Sequence, residues 1–311
     1  MPMRNLKIMG CANALPGKKM MFKDQTRYRL EEGETLLDLC DVAVQNALED
    51  AGITIKDIDC IIGGMATPLQ LIPCNAALIH ERVAKGLEIP AMDINTTCTS
   101  FVSAMDMASY LIDAGRYEKI LIVSGDCASA ALNPNQQESY ELFSDAVSAF
   151  VVGKSEADAG VLYAAQKTWS EGAHDTEIRG GGGLQTAFLF TEENKEDYYF
   201  DMKGVKVLKL TAKKLPGLLK DTLLKAQLSL DDIDVIVPHQ ASKALDMIIP
   251  HLGLQNKQYI NCVKEYGNMV SASIPFTLCN AIHENKVCKG DTVMLFGTAA
   301  GLTSNILIFK Y

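Results

Sequence analysis

The amino-acid sequence predicts an α/β fold made of two duplicated halves, and two internal repeats carry this prediction. The first pairs NALEDAGITIKDIDCIIGG (46–64) with DTLLKAQLSLDDIDVIVPH (221–239) at an offset of 175. The second pairs FVSAMDMASYLIDAGRYEKILIVSGD (101–126) with NMVSASIPFTLCNAIHENKVCKGDTVMLFGTA (268–299). Two similar units in the same order, at nearly the same offset, indicate duplication rather than chance.

Each unit of the first repeat has the pattern of an amphipathic helix, a polar Asp-Ile-Asp turn and a short buried strand. Each unit of the second has Val-Ser-Ala, a helical pattern and an apolar run that ends at a glycine. Such units predict sheets that are mostly buried between helices. The halves are expected to join near residues 153–162, which divides the chain into residues 1–160 and 161–311.

Composition and charge exclude several classes of protein. The chain has 311 residues, of which 48% are hydrophobic and 22% charged, as in ordinary globular proteins. No segment reaches the roughly 18 consecutive apolar residues of a membrane span, and we expect no signal peptide. The net charge of −9 argues against nucleic acid as a partner.

The nine cysteines are scattered along the chain, at positions 11, 40, 60, 74, 98, 127, 262, 279 and 288. No pair forms CxxC and the count is odd, so we expect neither a structural zinc site nor a disulfide framework. Free thiols of this kind are typical of the reducing cytoplasm.

Cys98 is the candidate nucleophile. The residues before it (91–94) have a strand pattern, and a helical pattern begins at about Ser100. A helix N-terminus stabilises an anion, so this position favours a lowered thiol pKa and attack on a thioester. The same backbone N–H groups can hold the oxyanion of the tetrahedral intermediate. A buried cysteine that merely caps a helix remains the alternative.

His239 and Asn268 are the other candidate catalytic residues. His239 ends the buried strand of DVIVPHQAS, where ligand sites collect in α/β folds, and its counterpart in the first repeat is Gly64. Asn268 precedes the second Val-Ser-Ala, near where Cys98 precedes the first. Taken singly, the histidine has a structural explanation and the asparagine a turn explanation.

Six stretches together resemble one family, the β-ketoacyl-acyl-carrier-protein synthase III family of the thiolase superfamily. They are DINTTCTSF, FSDAVSAFVVG, MKGVKVLKL, DVIVPHQAS, YGNMVSASIP and GTAAGLTSN. The resemblance implies a thiolase-like, five-layered αβαβα fold, a homodimer and no cofactor or metal. It also implies an acyltransferase that makes a β-ketoacyl product in fatty-acid or specialised lipid synthesis.

The resemblance implies a role for each candidate residue. Cys98 would accept an acyl group from a coenzyme A or carrier thioester. His239 and Asn268 would stabilise the enolate formed when a malonyl thioester loses CO₂, since imidazole and amide N–H groups are neutral donors. The backbone N–H groups of Cys98 and Ala300 would form the other oxyanion hole. Where the family has a glycine triplet, this chain has Ala299-Ala300-Gly301.

More peripheral positions also follow from the resemblance. Lys209, Lys213 and Lys243 are candidate contacts for an acidic carrier protein, although a solvated helix face explains them equally well. Ile72 matches a position where the partner subunit shapes the acyl pocket. The chain departs from the family at Gln137 and Ala244, where arginines are usual, and lacks an N-terminal Trp stretch. These departures weaken the expectation of coenzyme A as donor and allow a specialised pathway.

Four other functions compete with condensation. A degradative thiolase would need a cysteine in GTAAGLTSN, and a 3-hydroxy-3-methylglutaryl synthase would need a general-acid Glu that neither Glu49 nor Glu81 clearly provides. A non-condensing acyl transferase would not need Asn268. An inactive subunit of a heterodimeric ketosynthase would show broken catalytic residues, whereas all three are present.

Overall fold

The computed structural model describes residues 3–156 and 158–311, and two five-stranded sheets dominate it. The first sheet has the strand order β1-β7-β6-β4-β5, and the second has β12-β11-β13-β14-β8. Each sheet has three parallel strands next to antiparallel ones, and the two sheets have the same topology when each is followed from the same edge. The strand order alone therefore reproduces the duplication.

The strands of the first sheet all lie between Lys7 and Gly153, with a hairpin and four helices among them. The elements are β1 (Lys7–Ala14), β2 (Lys18–Phe22), β3 (Gln25–Arg29), α1 (Leu36–Asp50), β4 (Cys60–Gly63), α2 (Asn75–Val83), β5 (Ala91–Asp93), α3 (Ser100–Asp113), β6 (Lys119–Asp126), α4 (Gln137–Tyr140) and β7 (Ala146–Gly153).

The strands of the second sheet lie between Gly160 and Lys310. The elements are β8 (Gly160–Thr168), β9 (Thr176–Glu177), β10 (Asp201–Met202), α5 (Gly204–Ala226), β11 (Val235–Pro238), α6 (Leu245–His251), β12 (Gln258–Tyr259), α7 (Val263–Tyr266), α8 (Ser273–His283), β13 (Thr292–Ala299) and β14 (Thr303–Lys310). Within the described residues, we find no helix that combines the length and the hydropathy of a membrane span.

Three apolar cores hold the layers together. One joins α1 and α2 to the outer face of the first sheet, and another joins α5 and α6 to the outer face of the second. The third lies between the sheets and contains residues of α3, α8 and both sheets. The resulting order of layers is helix, sheet, helix, sheet, helix, so the predicted five-layered αβαβα fold is confirmed.

The repeated Asp-Ile-Asp turn has the same structural role in both halves. Asp57 caps a 3₁₀ turn by accepting the N–H of Thr54, at 2.9 Å, and Asp232 accepts the N–H of Ser229, at 2.7 Å. The second aspartate of each turn, Asp59 or Asp234, accepts N–H groups at the start of the neighbouring strand, β6 or β13. In both halves, the repeated aspartates thus hold the first residues of the central strands β6 and β13 in place.

The two Val-Ser-Ala segments are not structural equivalents, which corrects the predicted register of the second repeat. Residues 102–104 lie inside α3, whereas residues 270–272 form a 3₁₀ turn that precedes α8. Helices α3 and α8 begin at Ser100 and Ser273, and strands β6 and β13 begin at Lys119 and Thr292. Both pairs give an offset of 173, so the true register has no insertion between helix and strand.

Candidate active site

Cys98 lies in a 3₁₀ turn, Thr97–Thr99, between β5 and α3. Thr97 has a φ of +51°, a left-handed conformation that a β-branched residue rarely adopts. Two side chains hold this conformation: Asn95 Oδ1 accepts the N–H of Thr97 at 2.8 Å, and Ser100 Oγ accepts the N–H of Thr96 at 3.0 Å. The turn that presents the thiol is therefore fixed by its own neighbours in the sequence.

The thiol of Cys98 is partly buried, and its surroundings favour the protonated form. Burial raises the pKa of Cys98 to about 12, and the negative charge of Asp126 adds to this effect. Hydrogen bonding from the backbone N–H groups of Ala300 and of Cys98 itself lowers this pKa and so acts in the opposite direction. The sequence led us to expect a lowered pKa from the helix terminus. In the structure, desolvation and a buried carboxylate outweigh that terminus.

Ala300 and Gly301 lie in the tight connection between β13 and β14. Ala299 at the end of β13 faces Thr303 at the start of β14, so only three residues make the turn. Gly301 has a φ of +114°, which only glycine adopts without strain, and this lets the chain reverse directly after Ala300. The reversal brings the N–H of Ala300 near the thiol of Cys98, whose pKa it lowers.

His239 follows the last residue of β11 and is almost fully buried. Its N–H donates to the carbonyl of Phe296 at 2.8 Å, which continues the pairing with β13. Burial lowers the pKa of His239 to about 4, so the imidazole is neutral at physiological pH. Nδ1 is buried without a partner among the described residues, and an orphaned acceptor costs less than an orphaned N–H. The proton therefore belongs on Nε2.

The space for His239 exists because Gly297 has no side chain. A Cβ at Gly297 would lie 2.7 Å from Cβ of His239 and 3.2 Å from Cγ2 of Thr99, the residue after Cys98. In the first half the small and the larger residue are exchanged. Gly64 stands at the position of His239, and Ser124 stands at the position of Gly297. A Cβ at Gly64 would lie 2.8 Å from Oγ of Ser124. The repeated frame thus holds one large side chain in its second half and none in its first.

Asn268 is buried, and hydrogen bonds hold both its side-chain amide and its backbone. Oδ1 accepts the N–H of Val270 at 2.9 Å, and Nδ2 donates one hydrogen to the carbonyl of Ala241, two residues after His239, at 3.1 Å. Its backbone N–H donates to the carbonyl of Leu142 at 3.0 Å. An amide nitrogen has two hydrogens, so one N–H of Asn268 remains for a bound molecule.

Asn268 is the structural counterpart of Asn95, and the counterpart of Cys98 is Ser271. Val270 has a φ of +52°, which matches Thr97, and each of the two asparagines accepts the N–H two residues ahead of it. The sequence led us to expect Asn268 near the counterpart of Cys98. That counterpart, Ser271, is three residues after Asn268. The signal that would have given the true register is the pair Asn-x₄-Ser, at 95–100 and 268–273.

Asp126 at the end of β6 is a buried residue that sequence analysis missed. It accepts hydrogen bonds from the N–H and hydroxyl of Thr67, at 2.9 and 2.7 Å, and from the N–H and hydroxyl of Ser271, at 3.1 and 2.5 Å. Burial raises the pKa of this carboxyl, and these hydrogen bonds oppose the rise. An acidic residue directly after the apolar run ILIVSG was the available signal.

A cavity of about 700 Å³ leads from the surface to His239. One wall is α5, with Leu208, Thr211 and Leu215. Gly297 and Thr298 also line the cavity, whereas Cys98 and Asn268 are not part of its lining. Gln137, Lys243 and Ala244, positions that the sequence marked for substrate carriers, line the same cavity. Exposed apolar side chains, Val205 and Met247, are also part of the lining.

The lysine candidates fall into two groups. Lys243 lines the cavity, whereas Lys209 and Lys213 are exposed on α5 and outside the lining. Lys214, which follows Lys213 on α5, pairs with Glu171 at 2.5 Å. In the described part of the chain, no carboxylate lies within 4.0 Å of the ammonium of Lys209 or Lys213. Both charges are therefore free for a partner.

Ile72 lies far out on the loop that follows β4. Its residue surface is 84% exposed, and its neighbour Leu71 is 67% exposed. Two adjacent aliphatic side chains in water are unusual on a monomer surface and are typical of an interface. Within this chain Ile72 does not reach the cavity.

Two family models match the chain. Residues 92–169 match the model described as 3-oxoacyl-[acyl-carrier-protein (ACP)] synthase III, and residues 223–311 match the model of the C terminal of the same synthase. The matches include Cys98 in the first model and His239 and Asn268 in the second.

Curated relatives cover nearly the whole chain. A β-ketoacyl-[acyl-carrier-protein] synthase III of Clostridium perfringens is 32% identical over 279 residues, which cover 89% of this chain and 85% of the relative. The synthase of the same name from Rhodospirillum centenum is 29% identical, and the match covers 100% of both chains.

Solved structures share the fold. The 3-oxoacyl-[acyl-carrier-protein] synthase III of Aquifex aeolicus superposes with a TM-score of 0.87 at 24% identity, over 98% of this chain and 100% of that one. The β-ketoacyl-[acyl-carrier-protein] synthase III of Thermus thermophilus gives 0.85 at 26% identity, over 98% of each chain.

Proposed function

The chain belongs to the β-ketoacyl-[acyl-carrier-protein] synthase III family, and we propose that Cys98, His239 and Asn268 carry out its reaction. It is an acyltransferase that joins an acyl thioester to a malonyl thioester by Claisen condensation in fatty-acid synthesis. The observation that best supports our assignment is the close packing at Gly297. Because this residue has no side chain, His239 and Thr99, the residue after Cys98, both pack against its backbone.

In the first half-reaction, the sulfur of Cys98 attacks the thioester carbonyl of the acyl donor. The C–S bond to Cys98 forms, the C–S bond to the carrier breaks, and the thiol proton of Cys98 ends on the released carrier thiol. The N–H groups of Ala300 and Cys98, which lower the pKa of this thiol, are the proposed donors to the oxyanion of the intermediate. The raised pKa of Cys98 means that the sulfur rests as a thiol in the empty site, so it must lose its proton as it attacks the thioester.

In the second half-reaction, a malonyl thioester loses CO₂ and its carbonyl oxygen takes up the enolate charge. Nε2–H of His239 and the free N–H of Asn268 are the proposed donors to that oxygen. Both are neutral, so neither donor protonates the carbanion before it attacks the acyl carbon on Cys98. The pKa of about 4 keeps His239 neutral over the whole working range of pH.

The cavity supports a carrier arm as the route to this site. A pantetheine chain is long, thin and partly apolar, which suits a cavity that has α5 along one wall and Val205 and Met247 in its lining. Lys243 within that lining, and Lys209 and Lys213 on the exposed side of α5, are the proposed contacts for an acidic carrier protein. Gln137 and Ala244 supply no charge for the phosphates of coenzyme A.

We further propose that two chains form a homodimer through the loop that carries Leu71 and Ile72. Dimerisation would remove two exposed aliphatic side chains from water and would bring Ile72 to the acyl pocket of the partner. Sedimentation velocity of the wild type and of Ile72→Asp measures this. A wild type that sediments as a monomer at micromolar concentration contradicts the proposal.

The decisive test is intact-mass spectrometry after incubation with a panel of acyl-coenzyme A and acyl-carrier thioesters. We expect one acyl adduct per chain with at least one donor, and none in Cys98→Ala. Adding malonyl-carrier thioester should then remove the adduct from the wild type and yield a β-ketoacyl product. An adduct that persists in Cys98→Ala shows that the nucleophile is misassigned. An adduct that water discharges, without β-ketoacyl product, indicates a non-condensing transferase.

A further inference from the structure

Two buried thiols and an imidazole meet at the end of α8 opposite to the catalytic residues. Cys11 on β1 and Cys279 on α8 are each 1% exposed, and His283 at the last position of α8 reaches the surface. One ligand atom from each residue lies within 4.8 Å of the other two. Along α8, Cys279 and His283 lie roughly 9 and 15 Å from Ser273, the first residue of the helix.

The separations within this cluster resemble those around a tetrahedral metal ion. Sγ of Cys11 lies 3.9 Å from Nε2 of His283, and Sγ of Cys279 lies 3.9 Å from Nδ1 of the same ring. Zn–S and Zn–N bonds of about 2.3 and 2.1 Å place tetrahedral ligand atoms roughly 3.5–3.8 Å apart. The two 3.9 Å separations are measured to different nitrogens of the ring. With one ligand atom per residue, the three atoms lie within 4.8 Å of one another, so the side chains must close by up to about 1 Å.

A carboxylate next to the histidine completes the arrangement. Oδ2 of Asp50, at the end of α1, lies 3.5 Å from Nε2 of His283 and accepts the N–H of Cys11 at 2.9 Å. When Nδ1 of a histidine binds a metal, Nε2–H commonly donates to a carboxylate, which fixes the ring and makes it a better ligand. Asp50 is in place for this second role and not for direct coordination.

We propose that Cys11, Cys279 and His283 form a zinc-binding site, with a water molecule as the fourth ligand. Two sulfurs and one nitrogen in this arrangement favour Zn²⁺ over the hard ions Mg²⁺ and Ca²⁺, which prefer oxygen. The half-exposed side chain of His283 provides access from solvent. Spacing in the sequence did not reveal the site, because only Cys279 and His283 are close along the chain, one helical turn apart.

Binding changes the charge balance of the site in a defined way. Zn²⁺ replaces the protons of the two thiols, so two H⁺ are released for each ion bound and no electron is transferred. The metal would join β1 to α8, which come from different halves of the chain, and Asp50 at the end of α1 would support it through His283. Its expected effect is on stability, because a ligand that binds only the folded state raises the free energy of unfolding.

The test is a titration of reduced, chelator-treated full-length protein with zinc sulfate, read by elemental analysis after desalting. We expect one zinc per chain. Substituting Co²⁺ should give thiolate-to-cobalt charge-transfer absorption and the d–d bands of a tetrahedral ion. His283→Ala should weaken binding about tenfold or more, and Asp50→Asn roughly 10- to 100-fold. Zinc should raise the melting temperature of the wild type and not that of His283→Ala.

Matched controls separate this site from the other thiols. Cys40→Ala removes a buried cysteine outside the cluster, and His251→Ala removes an exposed histidine at the end of another helix. Both should bind zinc like the wild type. Because Cys11→Ser and Cys279→Ser alter the core, His283→Ala at the surface is the deciding variant.

Three results would overturn the proposal. The first is no zinc retained by the reduced wild type. The second is equal retention by His283→Ala. The third is loss of the metal from Cys98→Ala, which would place the ion in the catalytic site. If the cluster instead forms a Cys11–Cys279 disulfide, the untreated protein will be 2 Da lighter than the reduced form and the reduced protein will take up no metal.

Discussion

The carboxylate of Asp126 raises the pKa of the Cys98 thiol, although the two residues are 28 positions apart in the sequence. Ser271, the counterpart of Cys98 in the second half, donates two hydrogen bonds to this carboxylate. One buried charge thus anchors the turn of one half and disfavours the thiolate of the other. In the empty enzyme Cys98 is expected to be protonated and to react slowly with general thiol reagents.

Replacing Asp126 by Asn should make Cys98 more reactive. Loss of the negative charge favours the thiolate, so the pKa of Cys98 falls and its alkylation by iodoacetamide at pH 8 becomes several-fold faster. In the wild type the rate should rise about tenfold per pH unit between pH 7 and 9, since both values lie below the pKa of about 12. Peptide-level mass spectrometry resolves Cys98 from the exposed Cys74 and Cys288.

Asp145→Asn is the control for this experiment. Asp145 is equally buried, and its charge raises the pKa of Cys127 instead. It should accelerate alkylation of Cys127 and leave Cys98 unchanged. If both variants accelerate Cys98 alike, looser packing and not the charge of Asp126 is responsible. Asp126→Asn should also lower stability by about 1–3 kcal/mol, because donors from Thr67 or Ser271 lose their acceptor.

Asn268→Asp should separate the two half-reactions. A carboxylate cannot donate to the enolate oxygen and repels its charge, so decarboxylation of the malonyl thioester should fall about 10²- to 10³-fold. Acyl transfer to Cys98 should remain within a few-fold of the wild type. The measurements are release of CO₂ and intact mass. Loss of both half-reactions together would mean that Asn268 supports the fold of the site and not the enolate.

Gly297→Ala should damage the site directly. The new Cβ would lie 2.7 Å from Cβ of His239, so either the imidazole or the Cys98 turn must move. We expect a loss of about 1–3 kcal/mol in stability and a kcat reduced by more than tenfold. Gly217→Ala on α5 is the control, since nothing lies within 4 Å of its Cβ. That variant should be slightly more stable, by about 0.5–1 kcal/mol.

Charge reversal on α5 tests the carrier contact. Lys209→Glu with Lys213→Glu should raise KM for carrier-bound substrate several-fold at low salt, with less effect at high salt and on small thioesters. Lys225→Glu, exposed near the other end of α5, should have little effect. Unchanged kinetics in the double variant rules out the patch and leaves Lys243 in the cavity lining as the remaining candidate.

Ile72→Phe tests whether the loop after β4 shapes the acyl pocket of a partner subunit. A larger side chain should shift the preference of the acylation step toward shorter chains. Competition between short and long acyl thioesters, read by intact mass, measures this shift. Ile178→Phe, another exposed isoleucine, is the control for a general effect of surface bulk. An unchanged preference contradicts the pocket role of Ile72.

Much of the fold was predictable because its signals are local. The helical pattern predicted from about Ser100 is α3, which begins at that residue, and its apolar residues at positions 101, 105, 108 and 112 are buried. The repeat at an offset of 175 correctly paired β4 with β11 and Gly64 with His239, whose N–H groups donate to matching positions of the next strand. Such patterns follow from backbone periodicity and survive divergence of the two halves.

The features that escaped prediction depend on contacts between distant residues. The Val-Ser-Ala match misled because three shared letters do not determine backbone geometry. The side chains of Asn and Ser, five positions apart, determine it here. The pKa of Cys98 was predicted with the wrong sign because its main causes are burial and Asp126, and neither can be read from the residues around Cys98. The cavity likewise requires α4, α5 and α6 to be placed together.

The first half has Gly64 where the second half has His239, and this difference limits how many acyl groups one chain can bind covalently. Ser271 occupies the position that would carry a second nucleophile, but its hydroxyl is committed to Asp126. A histidine at Gly64 would collide with Ser124. The backbone therefore has an approximate twofold symmetry, but only one set of catalytic residues. Each chain should saturate at one covalently bound acyl group, whatever the excess of donor.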